Sequence, residues 1–486
     1  MYRILSGPAG FMIFLALLLF SGPHPGAQPI DLGQRLELFA DRFLIERLDG
    51  AFLFLHEPRP AGVVLSFDLP WEGAFSGYVT VLQDGPLYRM YYRGLPTSGK
   101  DGSPSETTCY AESRDGIRWV KPKLRLFRVG GARHNNVVLA GQPPFSHNFS
   151  PFLDSRPGAP AAERFKALAG TSEKGLFVFA SADGLRWKLW REKPVLTGSA
   201  FDSQNLAFWS ESEKCYVAYF RTWSKTGFSG IRTISRAVSD DLVSWSEPVK
   251  MSFGETELEH LYTSQTHPYF RAPHIYIALP MRFLPGCKVL TEEESRLLQI
   301  GKGYDSDCAE TVFMTSRGGN RYDRTFLEGF IRPGLDPGNW ASRSGLSALG
   351  VVPTGPEEIS VYRQSHYAQP SNRLVRYTLR TDGFSSVRAP FSGGEMLTRP
   401  LRLSGQTLVL NLSTGAAGSL RAELQDEQGK PIPGYGLEDS IPLVGDAIEK
   451  TVRWKGHAGL PDRRGAAVRI RLVMKDADLY ALQFRD

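Results

Sequence analysis

Short segments with alternating apolar and polar residues fill most of the chain after residue 28. Alternation with a period of two indicates a half-buried β-strand, because successive side chains of a strand point to opposite faces. Helical periodicity is rare, and its best example is residues 291–298. The pattern therefore predicts an all-β fold.

A turn motif, S-x-D-G-x-x-W, recurs between these strands at residues 113–119, 181–187 and 239–245, with a degraded copy at 316–322. Asp and Gly favour a tight turn, and we expect the Trp to begin the next strand and pack inward. With the strands around it, each motif completes a four-stranded unit. Such units repeated around a ring form a β-propeller.

The predicted units number five, with six as the alternative, and lie near residues 72–128, 134–192, 200–250, 260–330 and 345–390. We expect residues 36–60 to supply a strand that closes the ring. The turn motif stops after Pro390, while strand patterns continue to residue 484. The sequence therefore predicts a five-bladed propeller over residues 28–390 and a separate β-sandwich over residues 391–486.

The first 27 residues have the pattern of a signal peptide. Arg3 precedes an apolar stretch at 11–20 and a small, turn-rich segment at 21–27. The apolar stretch is short for a membrane span, and no second candidate follows it. We expect cleavage near Ala27 and a secreted or periplasmic protein without a stable membrane span; an uncleaved anchor is the alternative.

Charge and cysteine usage narrow the possible partners. Lys and Arg number 57 against 51 Asp and Glu, and they are scattered, so nucleic acid is not an expected partner.

Cys287 and Cys308 flank one insertion and are the best candidates for a disulfide, with free thiols, including Cys109 and Cys215, as the alternative. No nucleotide-binding glycine fingerprint, HExxH helix or CxxC spacing occurs, so neither a cofactor nor a metal is expected.

Polar residues lie where a propeller would gather them. In that fold, residues just before the first strand and just after the second strand of each blade converge on one axial pocket. The carboxylates at such positions are Asp68, Glu72, Asp202 and Glu259. The other polar candidates for substrate binding are His147, Asn148, Gln204, Asn205, His260 and Gln265. Glycoside hydrolysis uses two carboxylates, so this set predicts a glycosidase; buried ion pairing of Asp202 and Glu259 is the alternative.

Four arginines occupy equivalent places at the ends of second strands: Arg93, Arg221, Arg282 and Arg363. A guanidinium group suits carboxylate or sulfate oxygens, so they point to an anionic sugar as substrate. The alternative is that each arginine neutralises a carboxylate of the pocket.

The blade pattern resembles that of the five-bladed propeller glycosidases, which include arabinanases, xylosidases, invertases and levansucrases. The turns resemble sialidase Asp-boxes. Uncharacterised secreted bacterial proteins look most similar, through residues 38–45 (LFADRFLI), 201–205 (FDSQN), 259–262 (EHLY) and 475–480 (KDADLY). Resemblance to the glycosidases implies Asp68 as base or nucleophile, Asp202 as the residue that tunes the acid, and Glu259 as acid. Here, however, these carboxylates fall in units one, three and four rather than one, two and three.

The sequence thus predicts a secreted glycoside hydrolase that acts on a poly- or oligosaccharide. A non-catalytic glycan-binding propeller is one alternative, and a protein-interaction scaffold is another. Resemblance to sialidases implies a further alternative, a hydrolase in which Tyr262 and Glu259 form a nucleophile pair.

Overall fold

The computed structural model describes residues 28–462 and 464–486. The predicted signal peptide lies outside this part of the chain. The described residues are almost entirely β-structure, as predicted, and their α-helix is Glu292–Leu297, close to the predicted one. Short 3-10 helices lie at Phe145–His147, Ala161–Glu163 and Pro337–Asn339. No helix in the described ranges is long and apolar enough to cross a bilayer.

Three four-stranded antiparallel sheets follow one another along the chain, each with its strands in chain order. The first contains Gly77–Asp84, Leu87–Gly94, Thr107–Ser113 and Val137–Leu139. The second contains Ser150–Leu153, Phe165–Thr171, Gly175–Ser181 and Lys188–Leu189. The third contains Leu206–Ser210, Cys215–Lys225, Ser229–Ser239 and Val249–Lys250.

The fourth unit is divided into two short sheets. One contains His267–Tyr269, Ala272–Ala278 and Met314–Ser316, and the other contains Met281–Leu284, Cys308–Val312 and Gly329–Ile331. The division falls at Pro280, which has no N–H to donate to a ladder. We refer to both parts together as the fourth sheet.

The fifth sheet combines distant parts of the chain. It contains Val352–Pro353, Glu358–Ser365, Arg373–Arg380 and, paired with the last of these, Arg59–Ser66. A strand that precedes the first sheet in sequence therefore completes the last one. The sequence predicted such a strand, although at residues 36–60.

The S-x-D-G-x-x-W motif forms the same hydrogen-bonded turn each time. In the first copy Asp115 Oδ1 accepts from the N–H groups of Ile117 and Arg118, at 2.8 Å each, and Trp119 Nε1 donates to Gly116 O. Residues 183–187 repeat this arrangement, and residues 241–245 repeat it with Leu242 in place of the glycine. The motif therefore fixes the connection between the third and fourth strands.

Contacts between these turns and neighbouring sheets show how the fifth sheet lies relative to the first. Tyr91 of the first sheet donates to Gly184 O in the turn of the second sheet, at 2.9 Å. Tyr362 of the fifth sheet donates in the same way to Gly116 O in the turn of the first. The fifth sheet therefore neighbours the first as the first neighbours the second.

The first strands of the sheets approach one another through buried amides. Gln204 Nε2 donates to Thr80 Oγ1 at 2.9 Å, and Gln265 Nε2 donates to Gln204 Oε1 at 2.8 Å and to Ser347 O. Next to these contacts lies a cavity of about 360 Å³. Residues of all five sheets line it, among them Val81, Phe152, Phe208, His267 and Val352.

The remaining strands form a second β-structure around one core. Its longest strands, Thr407–Gln425 and Ala467–Arg485, pair along most of their length, and Trp454 is buried beside them. The other strands are Ile30–Asp31, Glu37–Leu38, Ile45–Asp49, Phe52–Leu55, Ser385–Ala389, Gly394–Thr398, Leu401–Arg402 and Asp446–Thr451. Residues 30–55 therefore pair with the C-terminal strands rather than with the repeated sheets, unlike the predicted division at residue 390.

All four cysteines are free thiols, the second of the two predicted possibilities. Burial, together with the neighbouring Cys287, raises the pKa of the Cys308 thiol to about 12.

Candidate functional site

A group of arginines and tyrosines gathers where the connections before the first strands meet the ends of the second strands. We call it the arginine–tyrosine cluster. Its members are Arg93, Arg221, Arg232, Arg343, Tyr78, Tyr262, Tyr304 and Tyr367. They come from the first, third, fourth and fifth sheets and the loops beside them, so the fold rather than local sequence brings them together.

Tyr262 lies at the centre of the cluster. The guanidinium carbons of Arg221, Arg343 and Arg232 lie 4.8, 5.2 and 5.7 Å from its ring centroid. Burial raises the pKa of Tyr262, but the positive charges of Arg343 and Arg221 outweigh burial and leave that pKa below its ordinary value. This phenol therefore loses its proton more readily than a free tyrosine.

Arg93 forms the side of the cluster that faces the first sheet. Its Nη2 donates to Phe75 O at 2.9 Å and to the Tyr367 hydroxyl at 3.1 Å, and its guanidinium lies over the Tyr78 ring. His147 is adjacent, with Nδ1 at 3.3 Å from Arg93 Nη1.

Carboxylates are fewer than arginines here. Asp202 pairs with Arg221 and keeps 36% of its side chain exposed, and Glu106 Oε1 lies 2.9 Å from His147 Nδ1. Arg232 and Arg343 form no ion pair with any carboxylate of residues 28–462 or 464–486; Asp202 attracts Arg232 without contacting it. The cluster therefore carries an excess of positive charge.

Several guanidinium hydrogens also lack acceptors. The Nε atoms of Arg93, Arg221, Arg232 and Arg343 are buried and have no hydrogen-bond partner in the described part of the chain. Buried polar groups normally find a partner, since an unmet donor costs about 1–3 kcal/mol. These donors can serve a bound anion.

The backbone around the cluster is strained. Tyr78, Gln265, Arg343, His366 and Ala368 have φ between 50° and 61°, a region that side chains other than glycine rarely adopt. Strain of this kind persists only where surrounding structure holds it, and it is common at functional sites.

Five of the predicted site residues belong to the cluster or touch it: Arg93, His147, Asp202, Arg221 and His260. Asp202 is the one predicted catalytic carboxylate among them.

Asp68 and Glu72 lie elsewhere, around Lys121. Lys121 Nζ is 3.0 Å from Asp68 Oδ1 and 2.6 Å from Glu72 Oε2, and Glu72 also accepts from the Tyr92 hydroxyl. Glu72 is fully buried, so it contacts protein instead of the substrate that the sequence led us to expect. Neither carboxylate shares a polar partner with Asp202 in the described residues.

Glu259 is likewise drawn into a separate ion-pair network. It binds Arg282 and Arg324, and Arg282 also pairs with Glu310. This network borders an open cavity of about 460 Å³ that His260 also lines. Although Glu259 is three residues from Tyr262, the proposed sialidase-like pair of these two is not formed.

The remaining predicted residues stabilise the fold. Asn148 and Asn205 both donate to the carbonyls of Phe201 and Ser203, and each asparagine is fully buried. Gln204 and Gln265 are buried in the amide contacts between first strands, and Arg363 is buried against the Tyr377 hydroxyl. All five are thus held by hydrogen bonds within the protein, and their part in substrate binding stays a prediction.

The cluster residues that were not predicted from the sequence are Arg232, Arg343, Tyr78, Tyr304 and Tyr367. Arg343 precedes the first strand of the fifth sheet and Tyr367 follows its second strand, so the rule that selected Asp202 applies to them as well. The signal was present, but the first strand of that sheet is only two residues long and gives almost no alternation.

No protein-family model matches the chain, and no curated protein matches its sequence. Among solved structures, one described as a glycoside hydrolase aligns over 67% of this chain and 92% of its own, at 11% identity and a TM-score of 0.46. An N-acetylgalactosamine deacetylase from F. plautii aligns over 69% of this chain and 97% of its own, at 13% identity and a TM-score of 0.44.

An exo-β-1,3-galactanase from Phanerochaete chrysosporium aligns over 89% of this chain and 99% of its own, at 10% identity and a TM-score of 0.37. Alignments at these TM-scores assign neither a substrate nor a catalytic residue to this chain.

Proposed function

We propose that this protein binds an anionic glycan in the arginine–tyrosine cluster and hydrolyses a glycosidic bond there. The observation that carries the proposal is the pair of partly buried arginines, Arg232 and Arg343, that form no ion pair with a described carboxylate. Burying a charge without a partner is costly, so such arginines indicate a partner supplied from outside the chain. A sugar carboxylate or sulfate accepts hydrogen bonds from guanidinium groups in this way.

Tyr262 and Asp202 are the groups that we assign to the chemistry. The common two-carboxylate mechanism requires carboxyl groups within about 10 Å of each other on the two sides of the scissile bond. Asp68 and Glu259 are held in other ion pairs, so a tyrosine nucleophile fits better. The Tyr262 oxygen forms a bond to the anomeric carbon as its proton passes to Asp202, which hands that proton to the leaving oxygen as the glycosidic bond breaks. Water then attacks the anomeric carbon, breaks the bond to Tyr262, and returns a proton to the Tyr262 oxygen as the sugar is released.

The first test is binding of matched oligosaccharides that differ in charge: uronic, sulfated and neutral. We expect the purified protein to bind the acidic members more tightly, and added salt to weaken that binding. Arg343→Met should reduce affinity for the acidic members about tenfold or more, because it removes a charge-assisted contact. Arg332→Met, which removes an exposed arginine that only faces Glu57, is the control. Equal affinity for neutral and acidic members would contradict the proposal.

Product release separates catalysis from binding. If the proposal is right, the wild type releases sugar, and Tyr262→Phe and Asp202→Asn bind the glycan but release about 100-fold less, the range expected when a nucleophile or proton donor is lost. Binding without product from the wild type would favour the alternative of a non-catalytic glycan-binding protein.

We also propose that the five sheets are the blades of a five-bladed propeller. The amide contacts between first strands, the cavity lined by all five sheets and the matching Tyr–Gly contacts support a closed ring. An experimental density map is expected to display five sheets around one axis, and an open row of sheets would contradict this.

A further inference from the structure

A second group of reactive side chains lies beside the fifth sheet, outside the arginine–tyrosine cluster. His366 Nδ1 is 2.8 Å from Ser371 Oγ, and His366 Nε2 is 2.8 Å from Asp336 Oδ2. We call these three residues the Ser371 relay. A hydroxyl, an imidazole and a carboxylate joined in this order form the arrangement that activates a serine for nucleophilic attack.

The relay is held firmly at its acidic end and open at its serine end. Asp336 Oδ1 accepts from the Gly338 N–H at 3.1 Å, and Asp336 Oδ2 accepts from Arg373 Nη2 at 2.8 Å. His366 is 6% exposed, whereas Ser371 is exposed. A reacting group can therefore reach the Ser371 hydroxyl while the imidazole behind it is shielded from water.

Close packing fixes the imidazole. A Cβ at position 338 would lie 2.6 Å from His366 Nε2, so only glycine leaves room for the ring. His366 itself has φ of 60°, and the strained backbone leads directly into Tyr367 of the arginine–tyrosine cluster. The surrounding structure thus holds His366 in a strained backbone conformation between Ser371 and Asp336.

The protonation state suits a general base. Two groups lie near His366 Nε2: Asp336 Oδ2 at 2.8 Å and, farther away, Arg373 Nη2 at 3.2 Å. Because the nearer group is a carboxylate, which only accepts hydrogen bonds, we assign the ring proton to Nε2, and Nδ1 is then free to accept from Ser371. Burial lowers the pKa of His366, which favours the neutral ring. Among the charged groups around it, Asp336 opposes this lowering, while Arg373 and Arg363 add to it.

We propose that Ser371 is the nucleophile of a second hydrolytic site, one that cleaves carboxylic esters. Its oxygen forms a bond to the ester carbonyl carbon as its proton passes to His366 Nδ1. The bond from that carbon to the alkoxy oxygen then breaks, and the alcohol leaves with this proton. Water attacks the acyl-serine, gives a proton to His366, and restores the Ser371 hydroxyl as the carboxylic acid departs. One ester and one water thus become one acid and one alcohol.

The test treats the full-length protein with a fluorophosphonate probe, which reacts with activated serines, and follows release of p-nitrophenol from p-nitrophenyl acetate. We expect a single labelled peptide that contains Ser371, and burst release of p-nitrophenol. Ser371→Ala should abolish both signals. Because Ser371 is exposed, this change should leave the melting temperature unaltered. Ser392→Ala, which removes another exposed serine, is the matched control.

Two further variants test the relay. His366→Asn should slow labelling about 100-fold, since a general base contributes at least this factor. For Asp336, a positioning residue, the readout is the pH profile of labelling. Asp336→Asn should move its lower midpoint to more acidic pH, because the Asp336 charge raises the pKa of His366.

Labelling of Ser371 that depends on His366 would support the proposal. Absence of labelling in the folded wild type, labelling at other serines only, or labelling of Ser371 that His366→Asn leaves unchanged would overturn it.

Discussion

At the scale of single residues, the distribution of charge within the arginine–tyrosine cluster matters more than the number of charged groups. Arg221 is neutralised by Asp202, while Arg343 lies among the rings of Tyr262, Tyr304 and Tyr367. Aromatic faces attract a cation by roughly 0.5–2 kcal/mol, less than a carboxylate does when water is excluded. The rings can therefore hold Arg343 in place and still leave it able to bind an anion.

A half-buried imidazole outside the cluster should make stability depend on pH. His267 Nδ1 is 2.9 Å from Gln265 O, and its Nε2 accepts from the Val351 N–H, so both nitrogens of the neutral ring are hydrogen-bonded. Burial lowers its pKa to about 4. Because the unfolded chain binds a proton near the ordinary value of 6.5, the stability that neutral His267 contributes is complete above pH 6.5 and is lost as pH falls towards 4.

The expected loss between these pH values is at most about 3 kcal/mol of the free energy of unfolding. Urea unfolding curves at pH 7.5 and pH 4.5 measure it. His267→Gln should reduce the difference between the two curves, and His134→Gln, at an exposed position, should not. If both variants keep the wild-type difference, His267 is not the group responsible.

At the scale of elements, the sequence predicted the strands and turns well because their signals are local. The S-x-D-G-x-x-W turn is held by hydrogen bonds within seven residues, so its letters are enough to identify it. The arginine–tyrosine cluster has no such signature. Arg232, Tyr304 and Arg343 come together only in the tertiary structure. The sequence alone also could not show that Glu259 pairs with Arg282 and Arg324 rather than with Tyr262.

The third copy of the turn offers a test with an internal control. Asp241 Oδ1 accepts from the N–H groups of Val243 and Ser244, whereas the side chain of its neighbour Asp240 makes no hydrogen bond within the described ranges. Asp241→Ala should lower the free energy of unfolding by about 1 kcal/mol, since it leaves two N–H groups without their carboxylate. Asp240→Ala should change it by less than about 0.5 kcal/mol. Thermal unfolding of the two variants gives the comparison, and equal losses would contradict this role of Asp241.

At the scale of the whole molecule, buried ion pairs join the second β-structure to the repeated sheets. Glu37 is fully buried, with Oε1 at 2.9 Å from His274 Nε2 and Oε2 at 2.8 Å from Arg317 Nη1. Arg317 also binds Asp41. Removing one partner of such a network leaves a buried charge unmet, which makes this junction a sensitive point.

Glu37 should also set how stability depends on acid. Burial raises its pKa, but hydrogen bonding to His274 and the charge of Arg317 outweigh burial and bring that pKa to about 2. The stability from ionised Glu37 is therefore complete above its ordinary pKa of 4.5 and is lost as pH falls towards 2. Glu37→Gln should cost about 3 kcal/mol of the free energy of unfolding at pH 7 and almost nothing near pH 2.

Denaturant unfolding at several pH values tests this, with Glu57→Gln as the control because Glu57 is largely exposed. If Glu37→Gln lowers the free energy of unfolding by the same amount down to pH 2, then the wild-type side chain stabilises the fold through its shape and not through its charge.

The pairing of residues 30–66 has a consequence for how the chain is made. Strand Arg59–Ser66 leaves the ribosome before any repeated sheet, yet its partner Arg373–Arg380 is translated only after the first four sheets. Strand Phe52–Leu55 pairs with Ser385–Ala389, and strand Glu37–Leu38 pairs with Ala467–Arg485, which is translated later still. Unpaired strand edges are open to association with other chains until their partners arrive. Strand Glu37–Leu38 therefore stays unpaired until residues 481 and 482 have been translated, and removal of residues 467–486 would leave it without its partner.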